Sequence, residues 1–283
     1  MVAAANTSSR QLKFRIPRWF TLPVAIGIIV VAFWIIATFF APYMTPYDPL
    51  DMVGRRLQAP SWSHWLGTDA LGRDVLTRTL YGAKHSLPIA LLVVVSAVII
   101  GALAGAISGY KGGLIGSAIM RLVDITLSFP PMLLAMAVAA SLGPGLENAA
   151  IAMVIVWWPV YARLMRAQVL EVREREHVEA AIASGASSSR VLFKHILPLC
   201  WTPILISATM DLGQVILLAA SLSFIGLGAT PPTPEWGSMI AEGAVYFYNW
   251  WIAMGPGLAI LTIVLGFNFI GDGLRDYFDP RSK

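Results

Sequence analysis

Residue types that could do chemistry are few in this chain, and their spacing supports no reaction centre. The single cysteine, Cys200, cannot form an intrachain disulfide, and the four histidines, His64, His85, His177 and His195, are scattered without metal-ligand spacing. The sequence holds no phosphate-binding loop (GxxxxGK followed by Ser or Thr), no HExxH zinc motif and no GxSxG nucleophile elbow. We therefore predict no catalytic residue, no metal site and no nucleotide site.

One carboxylate draws attention because it interrupts an apolar stretch. Asp211 lies within the run from Pro198 to Leu222. A carboxylate without a partner is costly in hydrocarbon, so such groups face a pathway or a partner by default. We hypothesise that Asp211 faces a central pathway and tunes the affinity for a cationic part of a substrate. The alternative is a buried carboxylate held by hydroxyl groups or by a basic residue of a partner subunit.

Composition explains why reactive residues are so rare. Charged residues make up 13% of the chain and hydrophobic residues 57%, against about 25% and about 45–50% in soluble domains. A soluble domain of this length leaves about a quarter of its unfolded surface in water, and so few charges cannot coat that surface. The composition excludes an ordinary cytosolic enzyme, a secreted disulfide module and a disordered chain, and it predicts a membrane protein.

Six apolar stretches are long enough to cross a bilayer, which takes about 20 residues of helix. They run from about Thr21 to Met44, His85 to Tyr110, Leu122 to Leu142, Asn148 to Arg166, Pro198 to Leu222 and Trp250 to Phe269. The sequence Phe129-Pro130-Pro131 inside the third stretch predicts a kink, because proline donates no backbone hydrogen bond.

The distribution of Lys and Arg predicts the orientation. Four precede the first span, two lie in the second connection, six in the fourth and three after the last span, which puts fifteen on one side and five on the other. Short basic loops stay in the cytoplasm. We therefore predict six transmembrane helices with both termini inside, and interpret the net charge of +4 as orientation bias rather than nucleic-acid binding.

The fourth connection concentrates charge. Eight charged residues lie between Arg163 and Glu179, several of them three or four apart with opposite sign, which favours a solvated helix that leaves the membrane. Gly185 is placed to end this helix. The serines at 187–189 are suited to cap a second short helix over 190–196, and Pro198 fits the first turn of the fifth span. The pattern predicts a helix–turn–helix on the cytoplasmic face.

This connection resembles the EAA loop of ABC-importer permeases. The resemblance rests on Glu179-Ala180-Ala181, Gly185 and Leu197-Pro198 at matching separations. In that family the loop docks into a groove on a cytoplasmic ATPase, so the resemblance implies an ATPase-coupling site. The candidate coupling residues are Glu179, Ala180, Ala181, Gly185, His195, Leu197 and Pro198, with His195 typical of the dipeptide/oligopeptide/nickel branch.

Three further segments resemble the C-type subunit of that branch. They are Leu66-Gly67-Thr68-Asp69 with Leu71-Gly72-Arg73-Asp74-Val75, then Pro231 to Gly237, and finally Phe267-Asn268 with Gly271 to Asp276 and Asp279-Pro280. The resemblance implies a type I importer permease fold with a cytoplasmic coupling helix. It divides the chain into a cytoplasmic tail (1–20), a first helix with an extracytoplasmic segment (21–85), the transporter domain (86–275, coupling loop about 167–198) and a second tail (276–283).

Partners and function follow from the same resemblance. It implies a location in the inner membrane of a bacterium. The implied partners are a homologous B-type permease, two ATPase subunits that bind ATP and Mg, an extracytoplasmic solute-binding protein and membrane lipid, and no nucleic acid. The expected function is uptake of di- or oligopeptides by alternating access, without a catalytic site or cofactor in this chain. Nickel chelates or another small solute are the alternative cargo, and a secondary transporter, a channel or an intramembrane enzyme are more remote alternatives.

Two outer segments carry further candidates. Glu235 and Trp236 follow a proline-rich stretch, and Arg73 and Asp74 precede the second span. These four residues are candidates for an outer gate or for a contact with the binding protein. The alternatives are an interfacial aromatic anchor at Trp236 and a structural turn pair at Arg73-Asp74.

Overall fold

Helices make up the structure because nearly every long segment of the chain is apolar and rich in Leu, Ile, Val and Ala. A computed structural model describes residues 21–278, which form ten α-helices and one π-helical segment. The helices are α1 (Leu22–Met44), α2 (Val75–Lys111), α3 (Gly113–Leu127), α4 (Pro131–Leu142), α5 (Leu146–Arg173), α6 (Glu176–Ala183), α7 (Ser188–Arg190), α8 (Leu197–Phe224), α9 (Trp236–Val245) and α10 (Trp251–Phe278), with the π-helical segment Val191–Ile196 between α7 and α8.

The six predicted spans correspond to these helices. Five helices are each long and apolar enough to cross a membrane, and α3 with α4 forms the sixth candidate. Several run past the predicted ends: α2 begins at Val75 rather than near His85, and α5 continues to Arg173. These extensions contain charged residues, so they lie outside the charge-free windows from which the spans are predicted. The tail at 1–20 and the motif Asp279-Pro280 lie outside the described residues.

The third span is bent far more than the predicted kink. α3 and α4 meet at 93° across residues 128–130. Pro130 precedes the first residue of α4, Pro131, and neither proline has an N–H to continue the hydrogen bonding of α3. Despite the bend, both α3 and α4 contact α5.

The two ends of the described chain lie on the same side. Val24 packs at Gly273, whereas Trp34, further along α1, donates its indole N–H to Thr262 Oγ1 at 3.0 Å. α1 and α10 therefore run antiparallel. Because α10 and α8 are antiparallel as well, through contacts such as that of Gly271 with Met210, α8 begins on the side where α10 ends. That side carries α6.

The closest helix–helix packing in the described structure is between α2 and α5. Gly101, Gly105 and Gly109 are spaced four residues apart on one face of α2, which predicts close helix contact. A Cβ at Gly105 would lie 2.3 Å from the carbonyl oxygen of Ala162, and one at Gly101 would lie 2.3 Å from that of Trp158. The prediction of close packing is confirmed.

We expect Gly105→Ala to destabilise the fold, because the added methyl group would meet backbone rather than a movable side chain. Overpacking of this kind costs about 1–3 kcal/mol. The matched control is Gly257→Ala in α10, where no atom lies within 4 Å of an added Cβ. Thermal unfolding in detergent should give a lower Tm for Gly105→Ala alone. Equal Tm values for the two variants would contradict the close contact.

Candidate functional site

The segment between α5 and α8 forms a short helix held on the surface by a single anchor. α6 has eight residues, of which Val178 is buried. Val178 belongs to the same apolar cluster as Val172, Val191 and Ile196. This cluster joins the end of α5 to the π-helical segment, so α6 is attached to both of the helices that flank it.

Gly185 ends α6 with a left-handed turn. Its φ is +80°, a conformation that residues with a Cβ rarely adopt. The Gly185 N–H donates to Ile182 O at 2.9 Å and the Ala186 N–H to Ala181 O at 3.1 Å. These two bonds form the Schellman arrangement. The predicted helix end at Gly185 is confirmed, and it turns the chain sharply back toward the membrane.

The side of α6 that faces away from Val178 is open. Glu179 and Ala180 are exposed and Ala181 is half-buried. Two large apolar side chains nearby are exposed as well, Ile182 at 54% and Phe193 at 62%. Small alanines permit close approach, and exposed apolar groups beside acidic ones are typical of a surface that binds another protein.

The predicted second short helix is not a separate element. α7, the π-helical segment and α8 follow one another without a break, so the helix that enters the membrane already starts at Ser188. The Ser187 side chain makes no capping hydrogen bond. Within this continuous helix His195 and Leu197 are half-buried and Pro198 is exposed. A π-helical turn needs a wider hydrogen-bond pattern, which the sequence does not reveal.

Asp211 has a partner within the protein. Tyr161 of α5 donates its hydroxyl to Asp211 Oδ2 at 2.7 Å, and the carboxylate is half-buried. Tyr161 itself is fully buried. A hydroxyl thus satisfies this carboxylate, as the alternative reading of the sequence allows. The two residues lie fifty positions apart, which is why the pair cannot be read from local spacing.

Asp124 also finds a distant partner. The sequence predicts a pair with Arg121 three residues earlier, but Asp124 Oδ1 instead lies 2.7 Å from Arg163 Nη2 of α5. Both side chains are more than half exposed, so the ion pair contributes at most about 1 kcal/mol. The prediction of a local pair is wrong because the α3–α5 packing brings a second arginine closer.

On the outer side, Glu235 and Trp236 hold α9 against the bundle. Glu235 caps α9 by accepting the Gly237 and Ser238 N–H groups, each at 2.9 Å. Trp236 donates its indole N–H to Thr79 O at 2.8 Å and packs edge-on against Trp34. Glu235 and Trp236 are buried. Trp236 is therefore a central packing residue rather than an interfacial anchor.

Arg73 belongs to a buried ionic network. Its Nε lies 2.6 Å from Asp69 Oδ2, and its Nη2 lies 3.5 Å from Glu242 Oε2 of α9. Arg78 Nε approaches the same Asp69 oxygen at 3.4 Å. The Ala70 N–H donates to Glu242 Oε1 at 3.2 Å. The network therefore joins the outer segment, over 48–74, to α9.

Asp74 caps the start of α2 and also binds His64 in the loop that precedes this helix. Asp74 Oδ2 accepts the Thr77 N–H at 2.8 Å, the geometry of a helix N-cap. Its other oxygen lies 2.9 Å from Nδ1 of His64, which is buried. Asp74 is thus a structural residue of the turn, as is Arg73.

The four outer candidates, Glu235, Trp236, Arg73 and Asp74, are all buried. A protein that docks from outside would meet the surface above them, not these side chains. A role in an outer gate stays a prediction. The sequence analysis assigns no role of their own to Asp69, Arg78 and Glu242. The ion pair of Glu242 could not be predicted from local spacing, because its partner Arg73 is 169 residues away.

Metal binding finds no support in the part of the chain that the structure describes. Within residues 21–278 no group of three His, Cys, Asp or Glu side chains is arranged to hold an ion. Cys200 is buried, and its thiol donates to Ile196 O at 3.3 Å.

Comparison with known proteins identifies relatives across most of the chain. A family described as "Binding-protein-dependent transport system inner membrane component" matches residues 97–283. The dipeptide transport system permease protein DppC of Alkalihalophilus pseudofirmus is 45% identical over 260 residues, covering 91% of this chain and 86% of the relative. The di/tripeptide transport system permease protein DppC of Pseudomonas aeruginosa is 44% identical over 265 residues, covering 91% and 88%.

A solved structure has the same fold. A chain from inward-facing conformations of the MetNI methionine ABC transporter superposes with a TM-score of 0.59 at 19% sequence identity. The match covers 71% of this chain and 97% of that one. The predicted type I importer permease fold is therefore confirmed.

We expect the stability of the outer network to depend on pH through Glu242. Burial is the main influence that raises the pKa of Glu242 above 4.5, with Asp69 adding to it and Arg73 opposing it. A raised pKa in the folded state means that this contribution to stability is present below about pH 4.5 and is lost as the pH rises through the raised pKa.

The measurement is Tm in detergent as a function of pH. Tm of the unaltered protein should fall as the pH rises above 4.5, and Glu242→Gln should flatten part of that dependence. Glu147→Gln, at an exposed position at the start of α5, serves as the control and should leave the profile unchanged. An unchanged slope in Glu242→Gln would rule out this coupling.

Proposed function

The chain belongs to the family of binding-protein-dependent transport system inner membrane components, and from this premise we propose that it is one permease subunit of an ATP-driven importer of small peptides. Its partners are a homologous B-type permease, two cytoplasmic ATPase subunits and an extracytoplasmic binding protein. ATP and Mg are bound by the ATPase subunits, and this chain contributes the pathway rather than a catalytic site.

The open face of α6 is the observation that carries this proposal. A short helix with exposed Glu179 and Ala180 stands on the side where both described chain ends lie, and it is fixed to the bundle through Val178. An ATPase that binds this face would displace α6 as a rigid body. Transport driven by ATP requires such a contact, because this sequence holds no nucleotide-binding loop of its own.

A displacement of α6 can be transmitted to the membrane-spanning helices through packed side chains. Val178 packs in one cluster with Val191 and Ile196, which belong to the helix that continues into α8. Arg173, at the end of α5, donates to Gly109 O of α2 at 3.2 Å. Displacement of α6 would therefore shift α8 and the α2–α5 pair together. Packed helices of this kind exchange between two discrete arrangements, as alternating access requires.

Peptides are the proposed cargo because relatives at 44–45% identity are named for dipeptide or di/tripeptide transport. We propose further that Asp211 faces the pathway and receives a cationic part of the substrate, while Tyr161 holds it in place. A nickel chelate or another small solute is the alternative cargo. Uptake assays with dipeptides and with a nickel chelate, using the cognate binding protein, would separate these substrates.

We expect Gly185→Ala to uncouple ATP hydrolysis from uptake. Alanine in this left-handed turn costs roughly 1–2 kcal/mol, which would shift α6 without disturbing the buried core. In proteoliposomes that hold the whole complex, ATP hydrolysis should continue while uptake falls. Gly143→Ala is the matched control, since Gly143 also has a positive φ and open surroundings but lies in the α4–α5 connection. Normal coupled uptake by Gly185→Ala and by Glu179→Ala would overturn the proposal.

We expect Asp211→Asn to raise the half-saturating substrate concentration roughly tenfold, because a lost charge-assisted contact costs about 1.4 kcal/mol. Tyr161→Phe removes the hydrogen bond but keeps the charge, so it should affect uptake much less. If Tyr161→Phe and Asp211→Asn have the same effect, the pair is structural and Asp211 does not meet the substrate. Uptake at varied substrate concentration is the measurement.

A further inference from the structure

The outer segment carries a hairpin with two exposed tryptophans. Residues 57–68 contain no Asp, Glu, Lys or Arg. Within this stretch, here called the Trp hairpin, Trp62 is 97% exposed and Trp65 is 69% exposed. No hydrogen bond within the described residues engages either indole N–H. Neither the ionic network nor α6 makes use of this surface.

The two indoles are held outward by a rigid support. Ser61 N–H and Gly67 N–H both donate to His64 O, at 2.8 and 2.9 Å. The His64 ring is buried and bound to Asp74, and Tyr47 packs against that ring and donates its hydroxyl to Ser63 O at 3.2 Å. The exposure of Trp62 and Trp65 is therefore built into the fold.

A recess of about 290 Å³ lies beside the hairpin. Its walls come from three elements: Trp62 and Trp65, the residues that follow α1, and the first turn of α2. The lining includes no exposed charge, since Asp74 is buried in its cap. The recess thus offers an apolar wall with free indole donors at its edge.

The recess is continuous with an exposed apolar side of α1. Phe39, Phe40 and Tyr43 are all exposed along the last turns of this helix, and Met44 is its last residue and lines the recess. With 23 residues, α1 is about 35 Å long, close to the hydrocarbon thickness of about 30 Å. A helix of this length that spans the bilayer brings its outer end, and the Trp hairpin beside it, to the level of the outer membrane–water interface.

We propose that Trp62 and Trp65 insert into the outer leaflet and that a phospholipid occupies the recess beside them. Tryptophan favours the interface because its ring is apolar and its N–H finds oxygen acceptors there. Phosphate or ester oxygens would accept from the two indoles, and an acyl chain would lie along Met44 and Tyr43. The hairpin then anchors the outer segment, and with it Asp74 and the ionic network, to the bilayer surface.

Spin labelling tests this placement in the full chain. The only native cysteine, Cys200, is buried, so Trp62→Cys can be labelled selectively, with unsubstituted protein as the background. Arg55→Cys, at an exposed position in the same outer segment, is the matched control. In phosphatidylcholine proteoliposomes, power saturation compares access by oxygen, which concentrates in lipid, with access by a water-soluble nickel chelate. The label at 62 should favour oxygen severalfold, and the label at 55 should favour the nickel chelate.

A second measurement guards against disturbance by the label. Brominated phosphatidylcholine quenches tryptophan fluorescence on contact, so the double variant Trp62→Phe, Trp65→Phe should lose part of that quenching while its Tm stays unchanged. A label at 62 that is as open to the nickel chelate as the label at 55 would overturn the proposal. So would a label that leaves water only when the binding protein is added, which would assign the surface to that protein instead.

Discussion

Every backbone polar group inside a bilayer must find its partner within the protein, and this constraint governs where the chain departs from regular helix. The break between α3 and α4 follows from two successive prolines, and the π-helical segment sits where α8 enters the membrane. On the outer side, irregular backbone finds acceptors in buried side chains, because the N–H groups of Ala70 and Gly237 are bound by the carboxylates of Glu242 and Glu235.

The outer and inner sides of the protein differ in whether their charged residues are buried. On the outer side, Asp69, Arg73 and Arg78 are buried with one another, so each ion depends on the others for solvation. The inner connection does the opposite and leaves Glu179 and Ile182 exposed around one buried valine. A rigid outer side and an exposed inner connection are consistent with the proposed contact between α6 and an ATPase.

Local patterns in the sequence predicted the structural features that depend on residues close together in the chain. Charge-free windows located the spans, the four-residue spacing of Gly101, Gly105 and Gly109 predicted close contact with a neighbouring helix, and Gly185 predicted the end of α6. Contacts between distant segments could not be predicted in this way. The partner of Asp211 lies fifty residues away, and that of Arg73 lies 169 residues away; no spacing rule links such positions. The angle between α3 and α4 likewise depends on packing, although the prolines mark its place.

The residues that carry the resemblance are buried on the outer side of the protein and partly exposed on the inner side. The residues that carry the resemblance on the outer side, such as Asp69 and Trp236, are buried, so the structure accounts for them through folding rather than through contact with a partner. Among the inner residues that carry it, Glu179 and Ala180 are exposed, and no side-chain hydrogen bond or ion pair in the described part of the chain accounts for Glu179. A surface position that packing does not explain is better evidence of a partner. The inner connection therefore carries the functional conclusion, and the outer motifs support it by holding the pathway helices in place.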